Sequence, residues 1–388
     1  MPQICILTST RADWGLLTPL AGALRRTPGV SVRIVAANMH LSQRCGMTVS
    51  EIEDAGFDVD CRIPTDTGGD SEYDKARAMA LMLDGFAAYL DRARPEAVVI
   101  LGDRSEMLAA ASAAAVMRVP VIHIAGGTVS EGAIDDAMRH AITKIASLHL
   151  CETDEAGRRI IQMGEDPASV AVTGALGVWN IMHQPLLSRT ELEASLGGFT
   201  LDPASSLLVT YHPATLDRRE PQTLFFELLA ALDRFPRSRV IITHPNNDAG
   251  GEAIAALVDD YARANRDRVL AVPSLGMKRY LSALRCVAAV VGNSSSGIVE
   301  VPSMHIPTVD IGIRQSGRLC SASVLHCADD ADDIAATIAL ALSPEGRRRA
   351  LSAVNPYYKP DTVQIMVDAI MTAMPRLNRP KHFVTLSK

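Results

Sequence analysis

Long apolar runs, paired cysteines and an excess of positive charge are all missing from this 388-residue chain. No stretch reaches the ~18 consecutive apolar residues of a membrane span, so no membrane partner is expected. Seven cysteines lie scattered without a CxxC pair, which indicates neither a disulfide framework nor a zinc site. Cys5, Cys151, Cys286 and Cys327 sit in apolar runs and read as small core residues. The formal net charge of −6 argues against a nucleic-acid surface, whose footprint is basic. No GxGxxG fingerprint and no GxxxxGK[ST] loop occurs, so NAD and ATP are not indicated. HExxH and other metal spacings are missing too, and no metal or redox cofactor is expected. The N-terminal MPQICILTSTRADWG has no basic stretch before its short apolar run. A signal peptide is therefore not expected, and a cytoplasmic location is.

What is present is the rhythm of an α/β protein. Hydrophobic residues at 48% and charged residues at 21% suit a soluble globular chain, and the length suffices for two cored domains. Strand-length apolar runs lie at 3–7, 32–36, 97–101, 119–124, 148–151 and 170–172. They recur at 206–210, 239–243, 269–272, 287–291, 308–311 and 323–326. Amphipathic stretches such as 16–26, 75–94 and 106–117 separate them. This alternation predicts two doubly wound, Rossmann-like domains, each a parallel sheet between helices. The pattern breaks near Trp179–Ser188, which sets the domains at 1–180 and 181–388. The last helical pattern, 360–375, is a candidate to pack back on the N-terminal domain.

The strand ends carry the chemistry. Ligands of open parallel sheets sit outside the carboxyl ends of the strands. Here those ends release Ser9, Arg11 and Asp13, then Gly102, Asp103 and Arg104, then Gly126, Gly127 and Thr128. In the second half they release His212, then His244, Asn246 and Asp248. Two facing domains with loaded strand ends imply a cleft between them. The richest segment runs from Val291 to Arg318. Its turn Gly292-Asn293-Ser294-Ser295-Ser296-Gly297 opens a short helical segment bearing Glu300, and a later strand empties into Arg314 and Arg318. Free N–H groups at a helix start, hydroxyls and guanidiniums suit a diphosphate, and a carboxylate one turn in suits a ribose. Asp103 has a plainer reading as a helix N-cap. Glu131, Asp135 and Asp136 have one as a first-turn acidic cluster, with Asp135 and Arg139 an i,i+4 ion pair. His212, directly after a strand and before a proline, is expected to be exposed rather than buried.

Taken in order, STRADWGLL (9–17), LGDRSE (101–106), HIAGG (123–127), EGAIDDAMRHAITK (131–144), TGALGVWN (173–180), YHPAT (211–215), HPNNDAGG (244–251), GNSSSGIVEVPS (292–303) and DIGIRQSGR (310–318) resemble the hydrolysing UDP-N-acetylglucosamine 2-epimerases of sialic and related nonulosonic acid biosynthesis. The resemblance implies the glycosyltransferase-B fold, a UDP-sugar substrate, no cofactor and a homodimer or homotetramer. It implies that Ser294, Ser295, Arg11 and His212 hold the diphosphate, with Asn246, Gly297 and Arg314 near it and Glu300 on the ribose. Asp103 and Asp135 would be the catalytic carboxylates, assisted by Arg104, with Glu131 and His212 as further candidates.

Two positions depart from that pattern. Ala125 stands where many relatives carry Glu or His, and Thr128 where they often carry Glu. Alanine cannot transfer a proton. Either Glu131 or another acid takes over, the substrate differs, or the pocket binds a UDP-sugar without turnover. A glycosyltransferase on the same fold is the other alternative.

Overall fold

The computed structural model describes residues 2–69, 71–214, 216–217, 219–245 and 250–385. The chain forms two compact units. One holds residues up to Thr128, Asp135–Asn180 and the chain from Lys359 on; the other holds Val129–Ile134 and Ile181–Tyr358.

The first unit carries a seven-stranded, wholly parallel sheet. Its strands are β1 (Gln3–Thr8), β2 (Ser31–Ala37), β3 (Val59–Ile63), β4 (Ala97–Leu101), β5 (Val121–Ile124), β6 (Leu148–Cys151) and β7 (Val170–Val172), in the order β3-β2-β1-β4-β5-β6-β7. Helices cover both faces, so the central strands are buried on both sides and their sequences are continuous apolar runs. Ile4, Ile6, Val99 and Ile122 face one core, with Leu17 and Leu20 of the helix Arg11–Arg26. Cys5, Leu7, Val98 and Ile100 face the other, with Phe86 and Tyr89 of the helix Glu72–Ala93. The edge strand β3 is not among the runs expected from sequence. It alternates, VDCRI, with Asp60 and Arg62 outside and Ile63 inside, because an edge strand is covered on one face only.

The second unit carries β8 (Leu207–Thr210), β9 (Val240–Thr243), β10 (Val269–Val272), β11 (Ala289–Gly292), β12 (Thr308–Ile311) and β13 (Val324–Cys327), again all parallel, in the order β10-β9-β8-β11-β12-β13. Val209, Ile242, Val291 and Val309 pack on Phe225 and Leu228 of the helix Pro221–Asp233 and on Ile334 and Ile338 of the helix Ala331–Leu342. In both sheets the chain reverses its winding direction once. The reversal falls between β1 and β4 in the first and between β8 and β11 in the second. A crevice opens at such a point, where neighbouring connections leave on opposite faces.

The last segment belongs to the first unit. Val363, Met366 and Ile370 of the helix Thr362–Ala373 enter the core beside Leu17 and Leu20. Beyond it, Lys381 Nζ donates to the carbonyls of Lys144 and Ala146, both at 2.7 Å, and lies 2.6 Å from Glu165 Oε2. Those carbonyls end the helix Asp135–Ile145, where a cation offsets the helix dipole. Glu165 is buried and also meets Lys144 and His149. Burial pushes its carboxyl up, but hydrogen bonds from His149, Lys144 and Lys381 hold it down at about 2.

Two buried histidines set an acid limit on the first unit. His40 lies between Thr8 and Thr48, at 3.0 and 2.9 Å, and burial lowers it to about 4. His123 faces the Gly102 carbonyl at 2.8 Å and is lowered to about 4 for the same reason. The unfolded chain takes up protons near the ordinary 6.5, which the folded chain refuses until about 4. Stability is therefore present above the unfolded value and lost as pH falls through this window, by on the order of 3 kcal/mol per imidazole. Urea unfolding between pH 7 and 4.5 should show the loss, and His123→Gln should flatten the curve. A wild-type curve level across that range would refute it.

Candidate functional site

At the reversal in the first sheet, the ends of β1 and β4 meet through side chains. Ser9 Oγ lies 2.8 Å from Glu106 Oε1 and 2.9 Å from Asp13 Oδ2. Glu106, 3% exposed, also accepts from Arg104 Nε at 2.8 Å and Asn38 Nδ2 at 3.0 Å. Burial pushes its carboxyl up, but the charge and hydrogen bond of Arg104, with the Ser9 hydroxyl, hold it down at about 2. Thr10 caps the helix Arg11–Arg26 by accepting from the Asp13 N–H at 3.1 Å. Arg11 opens that helix and approaches Glu51 at 3.5 Å.

Asp103 follows β4 and meets Arg139, which is 1% exposed. The same guanidinium donates to Asp136 Oδ1 at 3.1 Å and to the Thr128 carbonyl at 3.0 Å. Asp135 and Asp136 form the first turn of the helix Asp135–Ile145. The pairing of Arg139 with Asp136 and Asp103 is thus an i,i+3 contact plus a contact 36 residues away. The Gly126-Gly127 pair is a packing requirement. A Cβ on Gly126 would meet His123 Nδ1 at 2.8 Å, and one on Gly127, whose φ is +77°, would meet the Ala156 carbonyl at 2.4 Å.

At the reversal in the second sheet, β8 and β11 are joined by Asn293, 1% exposed. Its Oδ1 accepts from the His212 N–H and its Nδ2 donates to the His212 carbonyl, both at 2.8 Å. The Asn293 carbonyl accepts from Arg314 Nη1 at 3.1 Å and Gln315 Nε2 at 2.9 Å. Ser294 caps the short helix Ser295–Val299 and Tyr280 Oη lies 2.6 Å from Ser296 Oγ. Gly297 is buried with its Cα against Thr308, where a Cβ would meet Cγ2 at 2.7 Å. Glu300 ends that helix. Burial lifts its carboxyl above the ordinary range, against a Ser296 hydrogen bond and the charge of Arg318. Gln315 Oε1 is buried without a hydrogen-bond partner among the described residues.

The model of the UDP-N-acetylglucosamine 2-epimerase family matches residues 22–371. The chain belongs to that family. It is 35% identical over 323 residues to the GDP/UDP-N,N'-diacetylbacillosamine 2-epimerase (hydrolyzing) of Campylobacter jejuni, covering 83% of each chain. It is 32% identical over 360 residues to the polysialic acid biosynthesis protein P7 of Escherichia coli, covering 92% of this chain and 91% of that one. Among solved structures, the UDP-GlcNAc 2-epimerase of Neisseria meningitidis bound to UDP-GlcNAc superposes with a TM-score of 0.79 at 14% identity, over 96% of this chain and 100% of that one. These matches and the two parallel sheets give this epimerase-family chain the glycosyltransferase-B class of fold expected from its motifs.

The expected residues fall into two sets. Arg11, Asp103, Arg104 and Asp135 lie in the first unit; His212, Ser294, Ser295, Gly297, Glu300 and Arg314 lie in the second. Glu131, read from sequence with the sugar-side carboxylates, belongs to the second unit. Its N–H donates to the Ser316 carbonyl at 3.0 Å and its side chain lies by Gly317. Asn246 lies outside the described residues. His212 corrects an expectation of exposure: it is only 5% exposed, because Asn293 pins both of its backbone groups beside β11. Ala125 adopts a left-handed φ of +65°, and Thr128 Oγ1 reaches back to its carbonyl at 3.5 Å.

Sequence reasoning passed over Arg139 as the partner of Asp103, and Asn293 as the clamp on His212. The buried Asn293 gives the sharpest test of how this epimerase-family site is held. Asn293→Ala leaves the His212 N–H and carbonyl without these partners. It should lower unfolding free energy by ~1–3 kcal/mol in urea titrations; an unchanged midpoint would mean the clamp is dispensable.

Proposed function

We propose that the chain is a hydrolysing 2-epimerase. It converts a UDP-linked 2-acetamido sugar, UDP-N-acetylglucosamine or a 2,4-diacetamido-6-deoxy analogue, into the free 2-epimer and UDP. The observation that carries this reading is the match along most of both chains to a hydrolysing 2-epimerase. The relatives favour it over a glycosyltransferase.

In the first half of the reaction a carboxylate removes the sugar C2 proton. The C2–H electrons form the C1=C2 bond as the C1–O bond breaks and UDP departs, leaving a 2-acetamidoglycal. In the second half a proton adds at C2 from the opposite face and a water oxygen adds at C1. The C2 proton is weakly acidic, so stabilising the departing diphosphate drives the first half. The hydroxyls of Ser294 and Ser295, the N–H groups near Gly297, and Arg314, Arg11, Asn246 and His212 are assigned to the diphosphate. Glu300 is assigned to the ribose. A carboxyl lifted by burial is well matched to this task, since it gains hydrogen bonds when two hydroxyls arrive. Asp103 and Asp135 are assigned to proton transfer, which needs groups on both faces of the ring. Arg104 assists them and Glu131 is a further candidate. A homodimer or homotetramer is the proposed assembly.

Incubation with UDP-N-acetylglucosamine and diacetamido analogues should release UDP and a free 2-epimer, read by NMR. Absence of UDP release from every such substrate would sink the proposal. Asp103→Asn should abolish turnover with UDP affinity kept within about threefold, roughly 0.6 kcal/mol. The double change Ser294→Ala and Ser295→Ala should weaken UDP binding by ~1–3 kcal/mol, measured by calorimetry.

A further inference from the structure

The contact between Ser9, Asp13 and Glu106 contains a proton that a count of donors does not supply. Ser9 Oγ stands 2.8 Å from Glu106 Oε1 and 2.9 Å from Asp13 Oδ2. Both distances are those of hydrogen bonds. A serine hydroxyl has one proton to donate and two lone pairs to accept with. Glu106 is held ionised by the Arg104 charge and hydrogen bond and also accepts from Asn38, so toward Ser9 it is an acceptor. One hydroxyl proton cannot fill both contacts at once; a protonated Asp13 donating to Ser9 Oγ, with Ser9 donating to Glu106, fills both.

The surroundings agree. Asp13 is half-buried at the reversal between β1 and β4. Burial raises its carboxyl above the ordinary range and Glu106 pushes the same way, while Arg104 and the hydroxyls of Ser9 and Thr10 oppose them. Arg104 and Glu106 are the charged groups that face it from the chain after β4. The first unit therefore holds carboxyls in two different conditions. Asp103 is ion-paired with Arg139, whereas Asp13 has its carboxyl raised by burial and shares the Ser9 hydroxyl with Glu106. Environments that separate two acids in this way assign one to accept a proton and the other to give one.

We propose that Asp13 is the proton donor of the hydration half-reaction, which leaves Asp103 and Asp135 to the removal of the C2 proton on the other face. This rests on the hydrolysing-epimerase reading. The C1=C2 electron pair of the glycal takes the Asp13 proton at C2, C1 takes the oxygen of water, and the proton shed by that water refills the Asp13 carboxylate. Atoms and charge balance without any co-reactant. The Ser9–Glu106 pair serves to keep Asp13 loaded between turnovers.

The two halves of the reaction separate this inference from the reading on which it rests. UDP release reports the first half; hydration of a synthetic 2-acetamidoglucal, supplied with UDP, reports the second. Asp13→Asn keeps a donor toward Ser9 but cannot release a proton. It should fold with unchanged UDP affinity, hydrate the glycal at least 100-fold more slowly and accumulate glycal from the UDP-sugar. Asp13→Glu should recover part of the rate. Glu106→Gln removes the negative neighbour, so Asp13 ionises more readily and the alkaline limb of hydration should move to lower pH. Hydration by Asp13→Asn within threefold of wild type, or an alkaline limb unmoved in Glu106→Gln, would overturn the proposal. Wild-type protein that releases no UDP from any UDP-sugar would instead overturn the proposed function.

Discussion

The placement of Asp103 in the first unit depends on one buried guanidinium. Arg139 ties the helix Asp135–Ile145 to the end of β4 through Asp103, and to the chain after β5 through the Thr128 carbonyl. A charge this deeply buried is tolerable only when its donors are matched by acceptors. Asp103, Asp136 and the carbonyl supply that match. Orientation of Asp103 is thus a by-product of burying an arginine: the carboxylate cannot turn away without costing the cation one of its ion pairs. The cost of misplacing it falls on the stability of the helix as well as on the chemistry.

The second sheet solves the corresponding problem without charge. Asn293 bridges β8 and β11 with two neutral hydrogen bonds to the backbone of His212, and its own carbonyl collects Arg314 and Gln315. Close packing forces the neighbouring residues. Gly292, with φ at +138°, would drive a Cβ to 1.9 Å from the Thr210 carbonyl. Thus the two sheets share a winding pattern, and in each the reversal is cross-linked by side chains leaving the two strands that flank it. In one the link runs through a serine hydroxyl shared by two carboxylates. In the other it is amide to backbone.

Most strands were legible because a strand buried on both faces must be apolar throughout. That constraint failed for β3, whose single covered face leaves Asp60 and Arg62 in a pattern too short to stand out. Candidate site residues could be picked out where they leave strand ends, as Asp103, His212 and Ser294 do. Their partners were not, because Arg139 meets Asp103 across 36 residues and Asn293 meets His212 across 81. No local spacing records such a contact. The acidic first turn of the helix at Asp135 illustrates the limit. An i,i+4 pair between Asp135 and Arg139 was the natural local reading; the arginine also meets Asp136 at i,i+3 and Asp103 36 residues away, and no local spacing points to the last of these.

The terminal strap at Lys381 has a consequence for how the protein is made. The first unit is built from residues at both ends of the chain, and Val363, Met366 and Ile370 fill the same core as Ile4 and Leu20. Domains generally fold as units in the order of synthesis. Here residues 181–358 complete their own unit while the first one still lacks a core helix and the lysine that closes the helix bearing Asp135. On the ribosome the part translated first is sealed last: an unfinished chain has its second unit whole while its first still lacks the helix Thr362–Ala373 and Lys381.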